Sequence, residues 1–390
     1  MKKKSSLQYR YESFGGIIAS SDPPFLAHVD QQFMKEQGLA GSPLWKGPQK
    51  KYLSAPTEVH FAVTNRCENN CAHCYMDSGS PDPDELPLAD FKKALDILSG
   101  KGVFHLALGG GEAFERPDFF TIAQYARQKG MVPNLTTNGT RVTKDIARQC
   151  TVFGQVNVSI DGVEEDYHGA GRKGRFSTAV QALEHLKIAG VQTGINCLVT
   201  NKNYSSLEKV MALAQHLGLQ DVEFLRLKPA GRGKKLYTQK RLSDDQHQGI
   251  FPLLKKLSQK YKVAAKIDCS FIPMVCCHRP SPKVMKQFAV YGCDAGNVLL
   301  GVRPNGALAG CSFLSNQESV LDLDTVWDQS PHLARCRNWI DAAPPPCADC
   351  TYLEICKGGC RAVAEFVSGD FSAPDPECPI VVEFNQARTK

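Results

Sequence analysis

The stretch Glu58-Val59-His60-Phe61-Ala62-Val63-Thr64-Asn65-Arg66-Cys67-Glu68-Asn69-Asn70-Cys71-Ala72-His73-Cys74-Tyr75 sets three cysteines in a loop directly after an alternating, apolar-rich strand. Thiolates spaced four and three residues apart suit an iron–sulfur cluster. A four-iron cubane takes four ligands, so three cysteines leave one iron open, as a catalytic metal site keeps a position for something other than protein. A zinc site or a plain ferredoxin-like cluster is the competing reading of this loop.

Outward from the loop the same unit recurs: a short apolar strand, a loop, a helix with apolar residues three and four apart, and a glycine stop. Strands are predicted over 58–64, 103–108, 132–137, 155–160, 193–200 and 221–227, with helices near 143–150, 176–189 and 205–217. The helix after the cysteine loop turns Phe91, Ala94, Leu95 and Leu98 inward, and the next one Phe119, Ile122, Ala123 and Ala126. Strands and helices alternating at this length imply parallel βαβ units with right-handed crossovers. Six such units make an α/β fold, a partial (β/α)6 TIM-like barrel, whose chemistry collects at the C-terminal ends of the strands.

Beyond Pro229-Ala230-Gly231-Arg232-Gly233 come a charged linker, a helix over 243–261 that Ser243, Asp244 and Asp245 are placed to cap, and a strand over 263–267. From Cys293 to Cys378 prolines, glycines and seven patterned cysteines replace helical periodicity, and such a region needs staples to fold. Residues 1–50 read as a strand pair and a helix ending near Gly38, packed on something larger. The expected organisation is an N-terminal extension over 1–54 with a substrate-leader contact as its functional reading, a core over 55–233, a linker helix and strand over 234–292, and a cysteine-rich domain over 293–390.

A chain of 390 residues, 42% hydrophobic and 22% charged, has enough apolar content for a barrel-sized core and a second unit. The net charge of +6 is scattered apart from Lys2 to Lys4 and Arg232 to Arg241, which read as solvated surface. Aromatic and basic residues are not interleaved as single-strand binders require, so no nucleic-acid partner is expected. No apolar run reaches the length of a membrane span, and polar Ser5-Ser6 follow the basic start. A cytoplasmic protein without a membrane partner is the expectation. Sixteen cysteines in a reducing compartment then point to metal or redox chemistry rather than disulfides. Ten fall into two patterned groups. Cys150 and Cys197 read as small buried hydrophobes, and Cys269, Cys276, Cys277 and Cys336 stay unassigned.

The spacing Cys67-x3-Cys71-x2-Cys74, with His73 before the third cysteine, resembles the radical S-adenosylmethionine superfamily. The resemblance implies that the open iron chelates the methionine amino and carboxylate groups of S-adenosylmethionine, and that reduction releases a 5′-deoxyadenosyl radical that abstracts hydrogen from a substrate. It implies cofactor contacts by His73, by Gly110, Gly111 and Glu112 after the second strand, by Asn138 after the third, and by Ser159 and Asp161 after the fourth. Arg172 is expected to pair with the methionine carboxylate. Ala113 stands where the family usually has proline.

The later cysteines, Cys293-x12-Gly306-x4-Cys311, then Cys347-x2-Cys350-x5-Cys356-x3-Cys360 and Cys378, resemble the SPASM domain. That implies two auxiliary [4Fe-4S] clusters, one on Cys347, Cys350, Cys356 and Cys378, the other on Cys293, Cys311 and Cys360. The second lacks an evident fourth ligand; either Cys276 or Cys277 folds back to it, or its iron stays open to a substrate thiolate. Ser312 stands where sulfatase maturases carry an aspartate proton acceptor, which argues against formylglycine formation. The nearest resemblance is to SPASM maturases of ribosomally made peptides, and Tyr11-Glu12-Ser13-Phe14-Gly15-Gly16 is similar to the opening of a group acting on short cysteine-rich peptides. The expected reaction is thioether or carbon–carbon crosslinking, or a related side-chain or Cα oxidation. The expected partners are a short cysteine-containing peptide and an electron donor such as flavodoxin or ferredoxin. A tetrapyrrole (haem-type) biosynthetic enzyme and a non-catalytic iron–sulfur electron carrier or redox sensor are the alternatives.

Overall fold

The computed structural model describes residues 7–21, 24–39 and 41–388; the basic Lys2 to Lys4, Ser5-Ser6 and Pro23 lie outside them. The repeating units fold as the pattern predicts. The chain runs β4 (Glu58–Thr64), α2 (Leu88–Gly100), β5 (His105–Gly110), α3 (Phe119–Gln128), β6 (Val132–Thr137), α4 (Lys144–Gln149), β7 (Val156–Ser159), α5 (Phe176–Ile188), β8 (Thr193–Val199), α6 (Leu207–His216) and β9 (Asp221–Arg226). Strands β4 to β9 pair in sequence order, each parallel to the next.

The helices pack where their periodicity puts them. Phe91, Ala94, Leu95 and Leu98 of α2 and Phe119, Ile122, Ala123 and Ala126 of α3 are all buried against Val59, Phe61 and Val63 of β4 and their neighbours. Phe61 and Phe91 stack at 4.2 Å between centroids, joining strand to helix; burying each such side chain contributes roughly 1.5–3 kcal/mol. The opposite face of the strands is unlike that of an ordinary barrel, where branched apolar residues fill the interior. His60, Asn134, Thr136, Gln155, Asn157 and Asn196 face inward and border a cavity.

Three features depart from the expectation. The N-terminal strand pair is a three-stranded antiparallel sheet, β1 (Gln8–Glu12), β2 (Gly15–Ser21) and β3 (Pro24–Asp30), followed by α1 (Gln31–Glu36); β1 is too short and too polar for its alternation to register. The second barrel strand runs to Gly110 because Gly109 and Gly110 pair with Ala62 and Thr64. The sheet also continues past six strands. After α7 (Gly233–Lys240) and α8 (Asp244–Tyr261), capped by the predicted Ser243 with Gln246, β10 (Ala264–Ile267) pairs parallel to β9. From the cysteine-rich region, β11 (Leu299–Val302) pairs parallel to β4, and β12 (Ala307–Ala309) and β13 (Glu318–Ser319) follow antiparallel.

The N-terminal sheet is anchored by a buried pair. Arg10 binds Glu12 at 2.8 Å and donates to the Pro56 carbonyl at 2.7 Å, while Ser54 N donates to Glu12 at 2.7 Å. Pro56 precedes β4, so this sheet docks at the end of the strands opposite the cysteine loop.

At the C-terminal end of β9 a second buried network clasps the cysteine-rich region. Arg226 donates to both Asp375 oxygens at 2.6 and 2.9 Å and to Glu377 at 2.7 Å. Tyr237 donates to Glu377 at 2.7 Å, and Asp375 accepts Cys360 N at 2.9 Å. Burial opposes ionisation of Glu377, but Arg226 outweighs it and holds the carboxyl well below the usual carboxylate range. Arg226→Leu leaves two buried carboxylates facing each other; the expected cost is about 3–5 kcal/mol, read as a lower unfolding midpoint of the anaerobic holoprotein. An unchanged midpoint would show that the clasp does not hold the two parts together.

Candidate active site

The cysteine loop is shaped by the end of β5. The β4–β5 register shifts between Ala62 and Thr64, a common device next to active sites. Gly110 takes φ 119°, reserved for glycine, and a Cβ there would lie 2.5 Å from the Thr64 carbonyl. A Cβ on Gly111 would lie 2.1 Å from the Arg66 carbonyl. Gly111 N and Glu112 N donate to Thr64 O and Arg66 O, both at 2.8 Å. The glycines are therefore required for the strand end to lie against the loop.

Around the loop, backbone donors point at sulfur. Lys173 N lies 3.2 Å from Cys71 Sγ and Ser78 N lies 3.4 Å from Cys74 Sγ, the type of contact that tunes iron–sulfur clusters. Arg232 ties the loop shut, donating to the carbonyls of Cys71 at 2.9 Å and Ser78 at 2.8 Å. Burial pushes the Cys67 thiol up to about 11. Such a thiol is held as the thiolate only by a cation, which bound iron supplies.

The other predicted contacts fall into two groups. His73, Gly110, Gly111, Asn138, Ser159 and Arg172 line one cavity of about 750 Å³ with Cys67, Cys71 and Cys74. Glu112 and Asp161 lie behind its wall. The Glu112 carboxyl, 1% exposed, accepts from Thr137 Oγ1 at 2.7 Å and Asn138 N at 2.8 Å, and burial raises it to about 7 against those bonds. Asp161 accepts both ends of the Arg172 guanidinium at 2.7 and 3.0 Å and the Leu198 N–H at 2.9 Å. Burial opposes the charge of Arg172, and Asp161 more than restores it. His73 Nε2 lies 3.5 Å from Asp161, yet burial lowers the imidazole to about 4, so the ring is neutral.

The same cavity extends to the cysteine-rich region. Cys293, Cys311 and Cys360 stand on its wall, and so does Cys269, which the spacing had not assigned. Two ionisable pairs also face it: Lys228 with Asp268, the ammonium 4.4 Å from the Phe313 ring centre, and His60 with Glu58 at 2.7 Å. Ser312 Oγ lies 3.4 Å from His60 Nδ1, so an imidazole nitrogen borders the position where the resemblance places an aspartate. A second, small cavity is walled by Cys347, Cys350, Cys356 and Cys378 together with Cys276. Cys276 therefore belongs beside the other set, in an apolar cluster with Tyr352 and Ile355 to which the helix Ile272–Cys276 carries it, and Cys277, at the end of that helix, turns its thiol to the Met274 carbonyl at 3.3 Å; neither lines the cavity that Cys293 borders. All sixteen cysteines are free thiols, and among the described residues no three His, Cys, Asp or Glu side chains stand close enough to hold a single metal ion.

A parallel α/β barrel whose first strand end carries three cysteines open to a large cavity defines a class of iron–sulfur enzymes. The Radical SAM superfamily model matches residues 61–214. Mycofactocin maturase MftC of Mycolicibacterium smegmatis is 31% identical over 343 residues, covering 84% of this chain and 83% of that protein. The AdoMet-dependent heme synthase of Methanosarcina barkeri is 27% identical over 342 residues, covering 83% and 97%. Streptococcus suis SuiB, solved with its precursor peptide SuiA, superposes with a TM-score of 0.77 at 15% identity over 96% of this chain and 99% of that one, which shows the common fold. The chain belongs to the radical S-adenosylmethionine superfamily and is an enzyme of it, with a [4Fe-4S] cluster and S-adenosylmethionine as its cofactors. The three-cysteine loop, its sulfur-directed N–H groups and the adjoining cavity fit both groups.

Gly111→Ala is expected to push the strand end off the loop and to remove about four irons per chain, one cubane, measured after anaerobic reconstitution. Gly109→Ala, whose Cβ meets nothing within 4 Å, keeps them. Equal iron in both variants would sink the close-approach argument.

Proposed function

We propose that this enzyme matures a ribosomally made peptide, installing a carbon–carbon or thioether crosslink or oxidising a side chain or Cα. The observation that carries the reading is the single cavity that reaches from Cys67, Cys71 and Cys74 to Cys293, Cys311 and Cys360. Its volume, about 750 Å³, suits a cofactor with a substrate side chain beside it, and the thiols at its far end would hold a cluster able to relay electrons. The names of MftC as a maturase and of SuiA as the precursor peptide of SuiB support a peptide as the substrate.

In this reading Cys67, Cys71 and Cys74 hold the first cluster, and two auxiliary [4Fe-4S] clusters sit on Cys347, Cys350, Cys356 and Cys378 and on Cys293, Cys311 and Cys360. The bound cluster and S-adenosylmethionine supply one-electron reduction and a hydrogen-abstracting 5′-deoxyadenosyl radical. The protein's part is to bind, orient and exclude water. Asn138, Ser159 and Arg172 present donors to the cofactor, while Glu112 and Asp161 act from behind the wall by fixing Asn138 and Arg172. His60, oriented by Glu58, is positioned to take a proton at Nδ1 through Ser312. A flavodoxin or ferredoxin is the proposed reductant, and the N-terminal sheet the proposed site of leader contact.

The heme synthase similarity favours tetrapyrrole chemistry as a second reading. Two measurements separate the possibilities. Anaerobic reconstitution should give about twelve irons per chain, and Cys67→Ala/Cys71→Ala/Cys74→Ala should retain about eight while losing 5′-deoxyadenosine formation; persistent cleavage would overturn the cluster assignment. Incubation with peptides encoded beside the gene should leave one with a mass change by mass spectrometry. Tight porphyrin binding without any peptide product would instead establish the second reading.

A further inference from the structure

We propose that Cys269 is the fourth protein ligand of the auxiliary cluster on Cys293, Cys311 and Cys360, so that this cluster has no iron open to substrate sulfur. The inference rests on the auxiliary-cluster reading above. Its ground is geometric: four cysteines from four separate segments, the loop after β10, the stretch before β11, the turn after β12 and the start of the helix Arg361–Ser368, line the same cavity, and Cys293, Cys311 and Cys360 among them pack in one cluster.

Cys269 is presented by a loop whose two neighbouring residues are both pinned. Asp268 N donates to Phe224 O at 3.2 Å, and the Asp268 carboxylate accepts Arg226 N at 3.2 Å and Ser270 N at 3.0 Å. Ser270, buried, gives its carbonyl to Arg226 Nη1 at 2.8 Å. Between these fixed points the Cys269 side chain is exposed, and what it is exposed to is the cavity. A backbone pinned on both sides presents the thiol in one place, the preorganisation that ligating groups require. The Lys228 ammonium, paired with Asp268, supplies positive charge beside the added thiolate.

Cys276 and Cys277 are placed elsewhere, and Cys336, which packs in one cluster with Cys293, Cys311 and Cys360, stands outside the cavity that Cys269 lines. Cys276 is buried on the wall of the other cavity, and Cys277 is engaged with Met274. Cys336 is half-buried, its sulfur against Gly310, and is not on the cavity wall. Asp268 is occupied by Lys228 and by backbone donors.

The consequence is a choice between two roles. A cluster with an open iron can grip a substrate thiolate, whereas one closed by four cysteines can only take up or give electrons. Cys269 assigns this chain to the second role, so the substrate is held by the cavity wall and not through sulfur.

The test uses full-length protein carrying Cys67→Ala/Cys71→Ala/Cys74→Ala, which removes the one iron that is open by design. After anaerobic reconstitution this background should hold about eight irons and, reduced, show no ¹³C hyperfine coupling on addition of ¹³C-cyanide. Adding Cys269→Ala should create that coupling or lose the signal of one cluster. Cys269→Asp should restore the iron with shifted g-values, and Cys336→Ala should change nothing. Coupling to cyanide in the background itself would overturn the proposal while leaving two auxiliary clusters in place. So would a Cys269→Ala spectrum identical to the background, or an effect confined to Cys336→Ala. Iron well below eight in the background would instead overturn the auxiliary-cluster reading and this inference with it.

Discussion

The Arg226 guanidinium is the point on which the arrangement of the three cysteine groups depends. It ends the last strand of the barrel's main run and is claimed by Asp375, Glu377 and the Ser270 carbonyl. Two carboxylates and one cation buried together cost desolvation energy that only good geometry offsets. Here the geometry is bidentate, and the acids are further bonded by Tyr237 and Cys360 N. Because Asp375 and Glu377 lie just before Cys378, and Ser270 just after Cys269, one side chain sets where cysteines of both later groups stand relative to the barrel.

The cavity is bordered by polar residues placed where a barrel would ordinarily be packed. Asn134, Thr136, Gln155, Asn157 and Asn196 satisfy one another in part, as in the Asn157–Asn196 bond at 2.7 Å and the Asn196–Thr136 bond at 3.1 Å. The apolar side of each strand carries the stability, through Phe61, Phe91 and their neighbours. The inward side is thereby free to border a cavity. The division of labour follows the alternation of strand side chains.

Much of this was legible in the sequence, for identifiable reasons. Strong periodicity placed β4 to β9 and the buried faces of α2 and α3 within a few residues. The cysteine spacing located the loop that the cavity opens on. What stayed hidden depends on contacts between distant segments. Cys269 carries no spacing signal, since its neighbours on the cavity wall come from three later segments brought together by folding. Strand β11, Leu299–Val302, is four residues among glycines and prolines, so only its pairing with β4 reveals it. Glu112 and Asp161 read as cofactor contacts because a motif specifies residue identity; it does not say which side of a wall a carboxylate faces.

The pairing of β11 with β4 has a mechanical meaning. The strand that leads into Cys67 is hydrogen-bonded along Glu58 to Phe61 to the strand whose hairpin leads to Cys311. The two thiolates are thus attached to a common ladder rather than to bodies joined by a hinge. Their separation is set by strand length and register, which thermal motion of a linker cannot modulate. With the auxiliary cluster proposed on Cys293, Cys311 and Cys360 in place, the spacing of the redox centres would be built into the sheet, and what enters the cavity would set when electrons cross.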